Sequence, residues 1–132
     1  MEEALREAEI SADEIDYINM HATSTAQGDL SELIAARRVF GERKSLSVSA
    51  TKSMTGHLLG AAGAIEAIAC ILAVQNDIVP PTINHFTDDP VLDNKLNFTF
   101  NTAQKRTVNV AMSNTFGFGG HNTTVIVKKY QG

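Results

Sequence analysis

Cysteine is almost absent. Cys70 is the one thiol in 132 residues, so no intramolecular disulfide can form and a reducing compartment is the default setting. Surplus positive charge is absent as well. Eleven lysines and arginines stand against fifteen acidic residues, a formal net charge of −4. The basic residues are scattered, with adjacent pairs such as Arg37-Arg38 and Lys128-Lys129. No basic patch is available to neutralise phosphates, which argues against nucleic acid. The N-terminal stretch from Glu2 to Glu9 is charged and does not read as a secretory signal. Long uninterrupted apolar runs are lacking too. The longest, Leu58 to Val74, holds Glu66 in its middle and is interrupted by Gly60 and Gly63. That favours a core helix buried on most sides over a membrane span. No internal repeat or low-complexity segment is visible, and the spacing of Gly56, Gly60 and Gly63 does not fit a dinucleotide-binding fingerprint.

What remains is ordinary for one soluble globular domain, with 43% hydrophobic and 20% charged residues. The pattern along the chain predicts a helix over Glu2 to Glu9 and a strand over Ile15 to Met20. An amphipathic helix follows over Leu30 to Phe40, with Asp29 as N-cap, Glu32 at the capping-box position and Gly41 as the stop. Ser45 to Ala50 alternates as a short strand. Leu58 to Gln75 reads as the buried helix, Pro80-Pro81 as a stop, and Thr82 to Asp93 as a polar loop. Asn97 to Phe100 is a weak strand signal. Thr107 to Ser113 and the β-branched Thr123 to Val127 read as a hairpin around the turn Phe116 to Gly120. Helix and strand alternate, so the expectation is an α/β fold with at least one parallel strand pair.

Four segments could carry chemistry. His21 closes a strand and is followed by Thr23, Ser24 and Thr25, at the strand end where α/β proteins build sites. Lys52 to His57 also follows a strand and opens a helix, whose free N–H groups suit a developing oxyanion. Glu66 inside an apolar helix is costly unless paired, and Lys52 is the candidate partner. Ser113 to Asn122 places glycines around Phe116 and Phe118, as a hairpin turn, a phosphate loop or a mobile gate would. Cys70, mid-helix among apolar neighbours, reads as a buried, inert thiol.

Taken in order, His21-Ala22-Thr23-Ser24-Thr25, then Lys52 to Glu66 (KSMTGHLLGAAGAIE), then Ser113 to Asn122 (SNTFGFGGHN) resemble the C-terminal half of β-ketoacyl-acyl-carrier-protein synthases of the second type. The connecting Val79 to Asn84 is similar as well, and the resemblance spans Glu2 to Lys129. It implies a thiolase-like half-domain over residues 1–132, a mixed sheet with helices packed on it and truncated at its N-terminal end. It also implies a cytoplasmic, dimeric acyltransferase of fatty-acid biosynthesis. By the same resemblance, His21 and His57 are the catalytic histidines that bind the malonyl thioester oxygen. Lys52 is the active-site lysine with Glu66 as its partner. Thr23 and Thr25 contact the phosphopantetheine arm, Phe118 is an aromatic gate, and Asn122 lies in the loop that positions it. The implied partner is acyl carrier protein, which carries the substrates. No metal or organic cofactor is implied, and no membrane.

Two departures stand out. Ala22 occupies a position where the family usually has glycine, which matters if the backbone there has positive φ. No cysteine sits on a strand-to-helix elbow, so the nucleophile belongs to a missing N-terminal half and the chain is expected to be inactive alone. With that half would go a strand central to the sheet, leaving exposed edges and favouring association with the missing half or with copies of itself. The rival readings are a non-catalytic subunit of chain-length-factor type, a polyketide-type ketosynthase fragment, and a thiolase-like enzyme using coenzyme A, which the Lys52–His57 motif and the glycine-rich loop disfavour. His85 and His121 carry no assigned role.

Overall fold

The computed structural model describes residues 1–90 and 95–132, so the expected loop from Thr82 to Asp93 lies partly outside the described residues. The chain runs α1 (Glu2–Ala8), β1 (Tyr17–Asn19), α2 (Ala26–Phe40), β2 (Ser47–Ser49), α3 (Lys52–Thr55), α4 (Ala62–Asn76), β3 (Ile78–Val79), β4 (Asn97–Phe98), β5 (Gln104–Lys105), β6 (Val110–Gly117) and β7 (His121–Lys128). One sheet has the order β4-β2-β1-β6-β7. Its β1–β2, β1–β6 and β2–β4 pairs are parallel, and β6–β7 closes it as an antiparallel hairpin. A small antiparallel pair, β3–β5, stands apart.

Helices cover both faces, so the central strands are buried on both sides, as parallel strands usually are. Successive side chains of β1 point to opposite faces. Ile18 joins Leu5, Leu33, Phe40, Val48 and Met112 under α1 and α2. Tyr17 joins Cys70, Ala73, Val74 and Ala111 under α4. The Cys70 thiol is buried and burial pushes it up to about 12, the inert core thiol that its neighbours predict.

Three expectations need correction. The sheet is not split by a missing central strand: β1 is the centre and is hydrogen-bonded on both sides. The long apolar helix is not buried on most sides either. Leu59–Ala61 is a 3-10 turn leading into α4. The span Leu59–Asn76 is long and apolar enough to cross a membrane by length and composition. Yet α4 turns Ala62, Glu66, Cys70 and Ala73 inward and leaves Ile65, Ile68, Ile71 and Leu72 exposed. Finally, α2 begins at Ala26 behind Thr25, one turn before the expected cap at Asp29, and no side chain caps it.

The hairpin is also longer than its β-branched residues suggest. β6 runs through Gly117 and β7 starts at His121, leaving Phe118-Gly119-Gly120 as the turn. Gly119 and Gly120 have φ of 85° and 81°, backbone that glycine adopts without strain.

Candidate active site

The parallel ladders of β1 with β2 and β6 end side by side at Asn19, Ser49 and Ser113, and polar groups stand at and just beyond these ends. Asn19 of β1 donates to the Thr51 hydroxyl at 2.9 Å, and the Thr51 amide donates back to Asn19 Oδ1 at 3.3 Å. These paired bonds tie the end of β1 to the start of α3. His21 follows β1 by two residues, and Lys52 follows β2 by three.

The sequence-predicted histidines meet. The His21 and His57 rings lie edge to face, with centroids 5.3 Å apart and planes at 90°. His21 is buried and His57 is exposed, so one imidazole is fixed in the protein while the other borders open space. Burial holds the His21 imidazole down, at about 4, with the charges of Lys52 and His57 adding to the effect. His21 is therefore neutral at ordinary pH, and its Nδ1 is buried without a hydrogen-bond partner. His57 does not sit at the start of α4 as expected. It lies between Gly56, which caps α3 with φ 72°, and the 3-10 turn.

Lys52 and Glu66 form the expected ion pair. Their side chains are 4% and 1% exposed. Burial outweighs the Lys52 hydrogen bond in setting the Glu66 carboxyl, which is held above the usual carboxylate range. Glu66 Oε2 and Ser113 Oγ are also buried without a partner. Gly63, at the start of α4, lies where an added Cβ would come within 3.1 Å of Thr115 Oγ1 on β6. A small residue there lets the helix approach the strand.

Thr23 and Thr25 lie on the rim, their hydroxyls 3.4 Å apart. A cavity of about 490 Å³ opens beside them and is lined by Ala22, Thr23, Asp29, Lys52, His57 and the ring of Phe100, among others. Phe118 and Asn122 are not brought to the histidines. Phe118 projects from the hairpin tip, 98% exposed, and Asn122 pairs with Phe116 in the ladder with its side chain exposed. The aromatic ring beside His21 is that of Phe116, with ring centroids 5.4 Å apart.

Glu32 is the residue that pattern reading placed wrongly. It is not a capping-box glutamate but a buried carboxylate under the His21 loop. The amides of His21 and Ala22 each donate to it at 2.9 Å, and Asn114 Nδ2 donates at 3.1 Å. Burial keeps its carboxyl above the usual range despite these donors. Asp29, one turn earlier, is likewise raised by burial, while the Thr25 and Ser24 amides bond it and pull it down. The only signal in the sequence was the spacing of three residues, which places both carboxylates on one face of α2. Among the described residues, no group of three or more His, Cys, Asp or Glu side chains is placed to hold a metal ion.

A mixed sheet between helical layers is the architecture of thiolase-like ketosynthases. The chain superposes on a β-ketoacyl synthase from Burkholderia phymatum with a TM-score of 0.92 and 39% identity, over 99% of this chain and 31% of that one. It superposes on the ishigamide ketosynthase/chain length factor with a TM-score of 0.92 and 38% identity, covering 98% of this chain and 32% of that one. The family model described as the C-terminal domain of beta-ketoacyl synthase matches residues 1–86, and the chain belongs to that family. Among curated proteins it is 49% identical over 133 residues to the 3-oxoacyl-acyl-carrier-protein synthase 2 of Rhizobium meliloti and 48% identical over 132 residues to that of Staphylococcus aureus. It spans 31% of the length of each.

Proposed function

We propose that this chain supplies the decarboxylating half of a condensing synthase that extends an acyl thioester on acyl carrier protein by two carbons from a malonyl thioester. The observation that carries this reading is the facing pair His21–His57 beside the buried Lys52–Glu66 pair. Two imidazole N–H groups converge on one carbonyl oxygen of the malonyl thioester. The bond between its α-carbon and carboxylate breaks, carbon dioxide leaves, and the electron pair passes into an enolate whose oxygen the two donors stabilise. The α-carbon then attacks the carbonyl of an acyl group held as a thioester on a cysteine, and the cysteine thiolate leaves. Donors aimed at a developing oxyanion are the largest single contribution in such reactions, each worth about 3–4 kcal/mol. A neutral His21 suits the task, because it donates without bringing a full charge that would need solvation.

Cys70 is buried in the core and cannot be the nucleophile. The cysteine of this scheme lies outside these 132 residues, which are inactive without it, and the working partners are the cysteine-bearing portion and acyl carrier protein, in the cytoplasm. One similar solved structure is described as a type II polyketide acyl-carrier protein in complex with its ketosynthase, which supports the choice of partner. No metal or organic cofactor takes part in this scheme. A chain-length-factor role is the second reading, supported by the ishigamide complex, but such a subunit has no use for the pair of imidazoles. The deciding experiment mixes this chain with a cysteine-bearing N-terminal portion, acyl-carrier protein and malonyl-carrier protein, and follows products by mass spectrometry. Condensation only on mixing supports the proposal. Condensation by the chain alone, or none when the mixed halves are shown to associate, overturns it.

A further inference from the structure

Strands β2 and β4 pair in parallel, Ser47 with Asn97 and Val48 with Phe98. Their amide bonds follow the fixed order of a parallel ladder. Asn97 donates to Leu46 O at 3.2 Å, and Thr99 donates to Val48 O at 2.9 Å. The next bond in that order would run from the Ala50 amide to Thr99 O, with Ala50 opposite Phe100. A different residue stands there. Thr99 O accepts from the Thr82 amide at 2.8 Å, and the Asn101 amide donates to Thr82 O at 2.8 Å. Thr82 therefore sits opposite Phe100, in the same parallel sense. The amide it displaces is not orphaned, because the Thr82 hydroxyl accepts from Ala50 N at 2.8 Å. One residue thus takes both the acceptor and the donor of the missing rung. Pro80 and Pro81 precede it and have no N–H to give, so Thr82 is the first residue after them that can enter a ladder.

Parted from β4, the chain after Ala50 turns into α3. Ser53 Oγ donates to Ala50 O at 2.9 Å and accepts from the Ile83 amide at 2.9 Å. Lys52 lies between these two ties to Thr82 and Ile83, and its ammonium reaches Glu66 of α4. The chain cannot both continue along β4 and enter α3. We propose that Thr82 is a positioning residue for Lys52: it replaces Ala50 opposite Phe100, and its hydroxyl holds the displaced Ala50 amide so that the chain turns into α3 and brings Lys52 to Glu66. The parting of the strands also makes room, because Ala50, Thr82, Ile83 and Phe100 line the cavity that Lys52 and His57 share. The hydroxyl is the essential group. A methyl in its place would leave the amide of the buried Ala50 unpaired, and a buried amide without a partner is costly. The consequence for turnover rests on the proposed reading of the Lys52 site. The placement of Lys52 does not, and it is measured on the chain alone.

The test compares wild type, Thr82→Val and Thr82→Ser in the 132-residue chain. Valine keeps the shape and loses the acceptor, whereas serine keeps the acceptor and loses the methyl group. The readouts are hydrogen exchange of the Ala50 amide and the NMR resonance of the Lys52 ammonium. Thr82→Val is expected to speed exchange at Ala50 about tenfold or more and to move the Lys52 resonance. Thr82→Ser is expected to hold both near wild type. A residue that merely filled space would lower the thermal midpoint in Thr82→Val without moving Lys52. In the chain combined with its cysteine-bearing portion, Thr82→Val should lower kcat for carbon dioxide release roughly tenfold at unchanged KM, as a misplaced group does. An unmoved Lys52 resonance in Thr82→Val, or Thr82→Ser behaving like Thr82→Val, would overturn the proposal. If the combined wild-type enzyme releases no carbon dioxide, the reading of the site falls, and the Lys52 resonance still decides the role of Thr82. If Thr82→Val does not fold, wild type and Thr82→Ser decide. Ala50 exchange as slow as that of the β1 amides in both supports the proposal, and exchange at the rate of an exposed loop amide in either overturns it.

Discussion

Two loops of this chain are built in opposite ways. The loop from His21 to Thr25 is held from below by Glu32 and Asp29 of α2, which bond the His21, Ala22, Ser24 and Thr25 amides. The hairpin tip Phe118-Gly119-Gly120 is free of such ties, and its one large side chain stands in solvent. Between them, the base of the hairpin is anchored: Asn114 is fully buried between Glu32 and Thr124. The lesson is that this chain positions its imidazoles with its own residues, whereas a gate at Phe118 needs a surface to close against. A buried carboxylate is a rigid support because its bonds have no competing water. A glycine-rich turn keeps the option to move because its backbone has wide conformational freedom.

The contrast can be broken most severely on the fixed side. Lys52→Ala leaves the Glu66 carboxyl, buried and 14 residues away in sequence, without its counter-charge. Losing one partner of a buried pair costs about 3–5 kcal/mol, and denaturant unfolding should register a loss of that size. A loss below about 1 kcal/mol would mean that the pair is not buried in solution.

A second effect comes from acid. The unfolded chain takes up a proton on His21 near pH 6.5, whereas the folded chain resists until about 4. The folded pKa is depressed, so for this basic group the neutral form is favoured by folding. Its contribution is fully present above pH 6.5 and is lost as pH falls from there toward 4. Relative to His21→Asn, the wild-type thermal midpoint should therefore be constant above pH 6.5 and fall as pH drops toward 4. Parallel curves would contradict the burial of this ring. Glu32, Asp29 and Glu66, all raised, act in the opposite direction and are common to both curves.

Smaller effects are expected at the helix–strand contact and at the tip. Gly63→Ala brings a methyl group within 3.1 Å of Thr115 Oγ1 and should lower stability by about 1–3 kcal/mol, the usual consequence of overpacking. Phe118→Ala should change stability by no more than about 0.5 kcal/mol, as for any exposed position, while impairing condensation in the reassembled enzyme. A large loss of stability from Phe118→Ala would show that the tip packs on this chain after all.

Much of this was legible in the sequence, and the failures share a cause. The Lys52–Glu66 pair follows from a charge in an apolar helix that must find a partner. The strands β1 and β2 follow from short apolar runs, and the His21 and His57 segments lie at their ends. What failed depended on where a helix starts or on which strands pair. Asp29 and Glu32 have capping-box spacing, but Thr25 leads into α2 one turn earlier and the same spacing aims both carboxylates under a loop. The run from Leu58 looks like one helix, yet Leu59 with φ 50° breaks it and leaves His57 outside. The order of the sheet rests on β1 pairing with β6, a contact between distant parts of the chain that no local pattern encodes.

The central claim is that His21 and His57 act on one oxygen. It is tested most directly by measuring carbon dioxide release from malonyl-carrier protein by this chain combined with its cysteine-bearing portion, for wild type, His21→Ala, His57→Ala and the double variant. The account predicts that each single variant loses about 10²–10³-fold, and that the double variant loses much less than the product of the two, because groups that act as a unit are not additive. Wild-type release from either single variant, or losses that multiply, would contradict it.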